Sequence, residues 1–388
     1  MQIFMVGGAV RDEMLGLPIS DRDFVVVGAS PEQMLAKGFR PVGKDFPVFL
    51  HPESQEEYAL ARTERKTAPG YKGFSFHTSL DVSLEEDLAR RDLTINAMAR
   101  AAEGSLCDPY GGSRDLQARI LRHVSPAFAE DPVRILRLAR FSARFTDFSV
   151  AAETMELMRQ MVQAGEVDAL VAERVWQELA RGMQEAQPSR MFEVLRECGA
   201  LARILPEMER LWHFPTAADN HAAHAMQMLD NAAQQGLALE IRFAACMQNL
   251  AADMPLMIER LASLQALCER LKVPGECRDL AVMCLRERDI LCQFAQLDSA
   301  QMVSLFARCD AWRKPQRFHD GLLACACDEQ ALTPVMLTAW SQALIAAQAI
   351  DTAAIARQVA SLYPAQSARI AEAILAARVA SVSQHLGR

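Results

Sequence analysis

Apolar and polar positions change their rhythm near residue 115. Before it, the short apolar runs IFMV, DFVVVG, PVFLH and EEYALAR alternate with turns rich in Gly and Pro. That pattern predicts brief strands joined by tight connections. After it, apolar residues recur at helical spacing, Gly becomes sparse, and Pro206, Pro215, Pro255, Pro274 and Pro315 cut the pattern into short helices. The Ala-rich stretch from about 330 to 388 reads as two or three further amphipathic helices. The expected fold class is α+β, with a small mixed β-sheet and helices over residues 1–115 and an all-α remainder. The remainder is divided here into 116–205 and 206–388. Neither fixed-period repeats nor low-complexity tracts interrupt it.

Composition narrows the picture only a little. The 388 residues carry 41 Lys and Arg against 49 Asp and Glu, a formal net charge of −8. This argues against indiscriminate nucleic-acid binding by global charge and leaves room for a local basic patch. MQIFMVGG has no basic start and no long apolar run, and nowhere do about 18 apolar residues follow one another. The expectation is a cytoplasmic protein with no secretory leader and no membrane span. Ten cysteines include no C-x-x-C pair, and nine of them lie between Cys198 and Cys327 in helical patterning. They read as reduced core thiols, not as a disulfide frame or a zinc site.

The candidate chemistry begins at residues 6–27, VGGAVRDEMLGLPISDRDFVVV. Residues i and i+2 of a strand point to one face, so Asp21 and Asp23 can aim both carboxylates at one point. Two hard oxygen donors at that spacing suit Mg²⁺, which also takes phosphate oxygens. Gly7 and Gly8 let backbone N–H groups approach a phosphate at a helix start, and Arg11 lies one turn further in. Each piece alone is as readily a surface acidic pair or a plain turn. Together, within one strand–turn–helix–strand unit, they suit a metal-bound triphosphate. In RRDLTINA, at 90–97, Arg90 and Arg91 can clamp phosphate, and Asp92 or Asn96 can share a ribose hydroxyl proton. The bland alternative there is an exposed helix start with Asp92 as its cap.

In EDPVRILRLAR, at 130–140, Pro132 fits a helix's first turn with Glu130 or Asp131 as cap. At about 100° per residue, Arg137, Arg140 and Arg144 share a sector of roughly 60°. Residues 116–146 hold six Arg, no Lys and two acids, which is unusual for a merely solvated face. Asp131 and Arg134, one turn apart, can present an acceptor beside a donor. Cytosine and adenine both offer an amino donor beside a ring-nitrogen acceptor, whereas guanine and uracil offer the reverse. Mispairing costs about 1–3 kcal/mol per unsatisfied buried group. Such a pair can therefore select C and A without a nucleic-acid template.

GGAVRD at 7–12, DRD at 21–23, RRDLTINA at 90–97, DPYGG at 108–112, EDPVR at 130–134 and ERVW at 173–176 occur in that order. In this combination the chain resembles the bacterial CCA-adding enzymes, tRNA nucleotidyltransferases of the second class in the polymerase-beta-like superfamily. The resemblance is close over residues 1 to about 210 and continues weakly through FARCDAWRKPQR at 306–317. It implies a nucleotidyltransferase head, a helical neck carrying the base template, and a helical body and tail that support tRNA. It implies two Mg²⁺ ions on Asp21 and Asp23. It also implies nucleotide contacts at Gly8, Arg11, Arg91, Arg137 and Arg140, and base selection by Asp131 and Arg134. The implied partners are tRNA, CTP and ATP, with no obligate protein partner and a monomeric state. DPYGG would be a flexible joint, and Glu64–Ser79 a mobile loop linked to the switch from C to A. Glu57 and Glu64 are candidates for a further metal carboxylate.

The chain departs from the family's pattern in its carboxyl half. Many relatives carry an HD phosphohydrolase set of His, His-Asp and Asp there. Here His221 and His224 are followed by Gln248-Asn249 where His-Asp would stand, and amides are poor metal ligands beside imidazole and carboxylate. The expectation is a degenerate HD-like bundle, with the two histidines deprived of their partners. Two other functions are weighed. A bacterial poly(A) polymerase shares the head motifs but usually carries a long basic extension, while this chain ends in VASVSQHLGR. A non-catalytic RNA-binding scaffold is disfavoured by the intact Asp21 and Asp23.

Overall fold

The computed structural model describes residues 1–42, 48–66, 74–77, 79–213, 221–328, 330–363 and 366–387. It divides into two compact units, Met1–Pro206 and Glu207–Arg388.

The first unit opens with strand β1 (Gln2–Val6), helix α1 (Gly8–Met14), β2 (Asp23–Val27) and α2 (Pro31–Ala36). β3 (Arg40–Val42), β4 (Val48–Leu50) and β5 (Glu57–Leu60) complete one side of a seven-stranded sheet. β6 (Thr63–Lys66) and β7 (Phe74–His77) form a separate antiparallel ribbon. After α3 (Leu84–Ala89), β8 (Ala99–Ala101) and β9 (Leu106–Cys107) close the other side, giving the order β3-β4-β5-β2-β1-β8-β9. β2 pairs antiparallel with β1 and parallel with β5, so the sheet is mixed. The alternation of β2 explains why it lies centrally. Val25 packs with Val6, Leu88 and Ala99 on one face, and Val26 with Met34, Phe49 and Leu60 on the other. Each such burial stabilises by about 1.5–3 kcal/mol.

α4 (Gly112–Ala118), α5 (Val133–Arg144), α6 (Ala152–Gln163), α7 (Ala172–Met183), α8 (Ser189–Glu197) and α9 (Ala200–Ile204) follow. α5 packs on both α7 and α8. DPYGG is a packed helix cap: Asp108 accepts from Gly112 N at 2.6 Å and from Ser113 N at 2.9 Å. A Cβ at Gly112 would lie 2.2 Å from the Thr94 carbonyl oxygen, so only Gly fits that contact.

The second unit is helical: α10 (Pro206–Glu209, which begins at the boundary), α11 (His221–Gln234), α12 (Leu239–Met247), α13 (Met257–Arg270), α14 (Gly275–Leu291), α15 (Ser299–Arg308), α16 (Pro315–Ala326), α17 (Pro334–Gln348), α18 (Thr352–Leu362) and α19 (Ser367–Leu386). Four of the expected proline breaks lie at or just before helix starts: Pro206, Pro255, Pro274 and Pro315. Pro215 lies outside the described residues. All ten cysteines are free thiols and most are buried. No helix among the described residues is long and apolar enough to cross a membrane.

The expectation that the histidines of α11 had lost their partners needs correction at His224. Its Nε2 donates to Asp328 Oδ2 (3.0 Å), while Nδ1 accepts from Asn249 Nδ2 (3.0 Å). Arg288 Nη2 donates to the same Asp328 oxygen at 2.7 Å. A guanidinium thus neutralises the carboxylate, and both imidazole nitrogens are occupied.

Candidate active site

β1 delivers the chain into a turn at Gly7, whose φ of +70° lies in the left-handed region. A Cβ there would also come within 3.0 Å of Arg91 Nη1. Glycine therefore serves the turn and the close arginine at once. α1 starts at Gly8, and β2 starts at Asp23, opposite Val6 of β1 and Glu57 of β5.

A cavity of about 480 Å³ opens at this point, lined by Gly7, Gly8, Asp23, Asp92, Asn96, Asp131, Phe141 and eight arginines: 11, 90, 91, 134, 137, 140, 144 and 174. Eight guanidiniums against three lining carboxylates favour a polyanionic occupant. The expected site residues Gly8, Arg11, Asp23, Arg91, Asp131, Arg134, Arg137 and Arg140 all line it. Asp21 is not among the lining residues. It lies two positions before Asp23 and acts on that carboxyl. Desolvation raises Asp23 above the ordinary aspartate value, Arg91 opposes the rise, and Asp21 adds to it.

The arginines are held, not loose. Arg11, nearly fully buried, donates from Nε to Asp12 Oδ1 (2.8 Å) and from Nη1 to Asn96 Oδ1 (2.6 Å). Its guanidinium lies 5.2 and 5.1 Å from the ring centres of Phe141 and Phe145. Asn96 Nδ2 donates onward to Asp92 Oδ1 (3.0 Å), and Asp92 Oδ2 accepts from Arg137 Nε (2.8 Å). One buried chain of hydrogen bonds therefore joins α1, the 94–96 turn and α5. Burial alone would raise Asp92, but Arg137, Asn96 and the Leu93 N–H together hold it well below the ordinary range. Arg140 donates to Glu178 on α7 (2.8 Å), and Arg144 to Asp12 (2.9 Å). Arg90 and Arg91 both reach the buried Asp87, at 2.7 and 3.3 Å. Arg91 Nε is buried with no hydrogen-bond partner among the described residues. It is a donor oriented but unspent.

Asp131 and Arg134 meet the pocket in an arrangement that spacing alone did not reveal. Asp131 Oδ1 caps α5 by accepting from Val133 N (3.1 Å), and Oδ2 accepts from Arg174 Nη2 (2.9 Å). Arg134 donates from Nη1 to the Ala127 carbonyl (2.9 Å) and from Nη2 to the Arg90 carbonyl (2.6 Å). Arg174, quoted within ERVW but given no role, is the residue that sequence reasoning missed. The signal was an arginine one turn from Glu178 on an amphipathic helix, and it could be weighed only once α7 lay against α5. The partners of Asp92 and Asn96 are likewise internal, so any ribose contact must share groups already hydrogen-bonded.

The donor chemistry fits a divalent cation. β2 begins at Asp23, so Asp21 precedes the strand and the expected strand alternation does not set the two carboxylates on one face; the Asp23 carboxyl is raised chiefly by burial and in smaller part by the charge of Asp21, a repulsion that a cation relieves. Among the described residues no group of three or more His, Cys, Asp or Glu forms a preformed metal cluster. Glu57 lies beside Asp23 in the ladder, whereas the Glu64 side chain lies outside the described part. Of the expected loop Glu64–Ser79, residues 64–66 and 74–77 belong to the paired strands β6 and β7. Residues 67–73, with Gly70 and Gly73, and residue 78 lie outside the described residues.

A family model described as "Poly A polymerase head domain" matches residues 3–122, and one described as "Probable RNA and SrmB- binding site of polymerase A" matches residues 147–211. The "Multifunctional CCA protein" of Herminiimonas arsenicoxydans is 56% identical over 404 residues, covering 99% of this chain and 98% of the relative. A solved Bacillus stearothermophilus CCA-adding enzyme in complex with CTP is similar in fold. Its TM-score is 0.67 at 23% identity, over 99% of this chain and 89% of that one. A tRNA nucleotidyltransferase solved with a primer tRNA and an incoming ATP analog gives a TM-score of 0.61 at 24% identity, over 85% and 92%.

Proposed function

Because the chain belongs to the family of CCA-adding enzymes, we propose that it builds and repairs the 3′-terminal CCA of tRNA from CTP and ATP, releasing pyrophosphate. What carries the reading is one pocket that joins Asp23, a glycine turn and an arginine-rich wall, with Asp21 two residues before Asp23. Asp21 and Asp23 would hold Mg²⁺. When bound, such ions polarise the α-phosphoryl group and lower the pKa of the attacking hydroxyl. The tRNA 3′-oxygen forms a bond to the α-phosphorus, the bridge to the β-phosphate breaks, and the hydroxyl proton leaves to solvent.

The chain's own residues bind and orient. Gly7 and Gly8 leave room for the triphosphate. Arg11, Arg91, Arg137 and Arg140 spread positive charge along it, and their carboxylate partners fix each fork in advance. Asp131 and Arg134 read the base edge, C and A sharing one acceptor–donor order. The division into a head over 1–115, a neck over 116–205 and a body and tail over 206–388 belongs to the same proposal, as do a monomeric state and a cytoplasmic location.

The head match alone suits a poly(A) polymerase equally; the full-length relatedness favours CCA addition. One pocket for both nucleotides requires that ATP inhibit CTP incorporation competitively. Noncompetitive inhibition would sink the single-pocket reading.

A further inference from the structure

The wall of the nucleotide pocket contains one side chain that phosphate chemistry does not call for. Phe141 is the one aromatic and, apart from Gly7 and Gly8, the one apolar residue among the described residues that line the pocket. It is 4% exposed, so little of the ring is left to the cavity. On α5, Arg137, Arg140, Phe141, Arg144 and Phe145 are three and four residues apart and share a face of the helix. The guanidinium carbons of Arg140, Arg11 and Arg137 lie 4.8, 5.2 and 6.0 Å from the centre of the Phe141 ring. Those of Arg11 and Arg144 each lie 5.1 Å from the centre of the Phe145 ring. The two rings are nearly parallel, at 9°, with their centres 6.1 Å apart. Two rings therefore serve four cations, and Arg11, which comes from α1, is shared between them.

Cations so close repel one another. Burial pushes the Arg11 guanidinium below its ordinary value; Asp12 opposes the drop, and the charge of Arg144 adds to it. Carboxylates and the Asn96 amide offset the repulsion, but they occupy donors. Arg11 Nε is spent on Asp12 and Nη1 on Asn96, Arg137 Nε on Asp92, and Arg140 Nε on Glu178. A ring face attracts a guanidinium through its quadrupole and leaves the N–H edges free. It holds an arginine beside a phosphate without taking up what the phosphate needs.

We propose that Phe141 is a positioning residue for the triphosphate: its ring, backed by Phe145, holds Arg11, Arg137 and Arg140 in place with donors to spare for phosphate oxygens. The proposal rests on the nucleotide reading above and adds to it a residue that acts through the arginines. The rival role for an aromatic ring here is a stacking platform for the nucleobase. Burial of the ring against three guanidiniums speaks against that role.

The test keeps the shape of the ring and weakens its face. Phenylalanines bearing successively more ring fluorines are placed at position 141 of the full chain, alongside Phe141→Leu and Phe141→Tyr. Inorganic pyrophosphate, which has no base, is titrated as a competitor of CTP during addition to tRNA. Its Ki and the KM for CTP and ATP should rise together, step by step with fluorination. They should reach about 5- to 30-fold in Phe141→Leu, the loss of a desolvated cation–π contact. Phe141→Tyr, which keeps the ring, should recover most of that loss. KM for tRNA and the margin of CTP over UTP should not follow the series. A constant Ki for pyrophosphate across the fluorinated series would overturn the proposal and leave Phe141 as core packing. Raised KM for CTP and ATP with an unchanged Ki for pyrophosphate would assign the ring to the base and overturn it too. A parallel rise in KM for tRNA would show a general distortion of the protein and do the same. Should Phe141→Leu fail to fold, the fluorinated series still decides. If wild-type protein adds nothing to tRNA, the proposed function fails instead, and calorimetric titration of the same series with magnesium-free pyrophosphate still reads the arginine contact.

Discussion

Replacing Asp131 by Asn isolates base reading from nearly everything else. The change keeps the shape and converts one of two acceptor oxygens into a donor. If the oxygen stays at Oδ1, it still caps Val133 N, and the new NH₂ faces Arg174 Nη2 across 2.9 Å. If the amide turns over, Arg174 keeps an acceptor and the α5 cap is lost. A cap is worth about 1 kcal/mol. The ion pair, with side chains 28% and 20% exposed, is worth about 1 kcal/mol or less. The fold therefore loses little, and a thermal melt should show a small shift.

Base choice should change far more. An acceptor that meets the amino group of C or A becomes a donor against a donor. That costs about 1–3 kcal/mol, roughly 5- to 150-fold in kcat/KM for CTP and ATP. UTP and GTP, which offer a carbonyl oxygen there, should lose less or gain. The assay is single-nucleotide incorporation with each of the four triphosphates on tRNA ending before its CCA. Arg137→Ala serves as the contrast, weakening all four by similar factors. Equal losses across the four nucleotides in Asp131→Asn would refute the argument and reduce Asp131 to a helix cap with an ion pair.

Asp21→Ala or Asp23→Ala should abolish addition of both C and A while leaving tRNA affinity within a few-fold; turnover near wild type in either would defeat the metal assignment. Asp92→Asn breaks the buried link to Arg137 and should cost about 1–3 kcal/mol of stability in denaturant melts, together with a drop in kcat. The native Asp92 carboxyl is depressed, so its stabilisation is complete above the ordinary aspartate value of about 3.9 and fades only as pH falls below it. Wild type minus Asp92→Asn should therefore be flat from pH 5 to neutrality, and a difference that grows with pH across that range would contradict this linkage. In the second unit, Arg288 holds Asp328 and both ring nitrogens of His224 are hydrogen-bonded, and no metal-ligand cluster forms among the described residues, so Mn²⁺ or Ni²⁺ should not elicit phosphatase or 2′,3′-cyclic phosphodiesterase activity. Robust metal-stimulated hydrolysis would show that the cluster rearranges.

What could be seen in the sequence follows from how local each signal is. β2 was legible because its valines bury both faces of one sheet, and the turn at Gly7 because glycine must take a left-handed φ there. β3, three residues with Pro41 at its centre, and the ribbon strand TERK leave no apolar alternation to read. The arginine stripe on α5 was visible at 3.6-residue spacing, but its partners were not. Asp12, Asp92 and Glu178 lie 132, 45 and 38 residues from the arginines they fix. Arg174 was hidden for the same reason, and so was the Arg288–Asp328–His224 cluster. Long-range pairing is where composition and period fall silent.

The most direct measurement is the length and sequence of what the protein adds. Incubated with Mg²⁺, CTP and ATP, a tRNA lacking its last three residues should gain C, C and A and stop. With CTP alone it should gain two residues, and with ATP alone none until C-C is present. Long runs of A, or no extension by protein that binds the tRNA, would contradict the account.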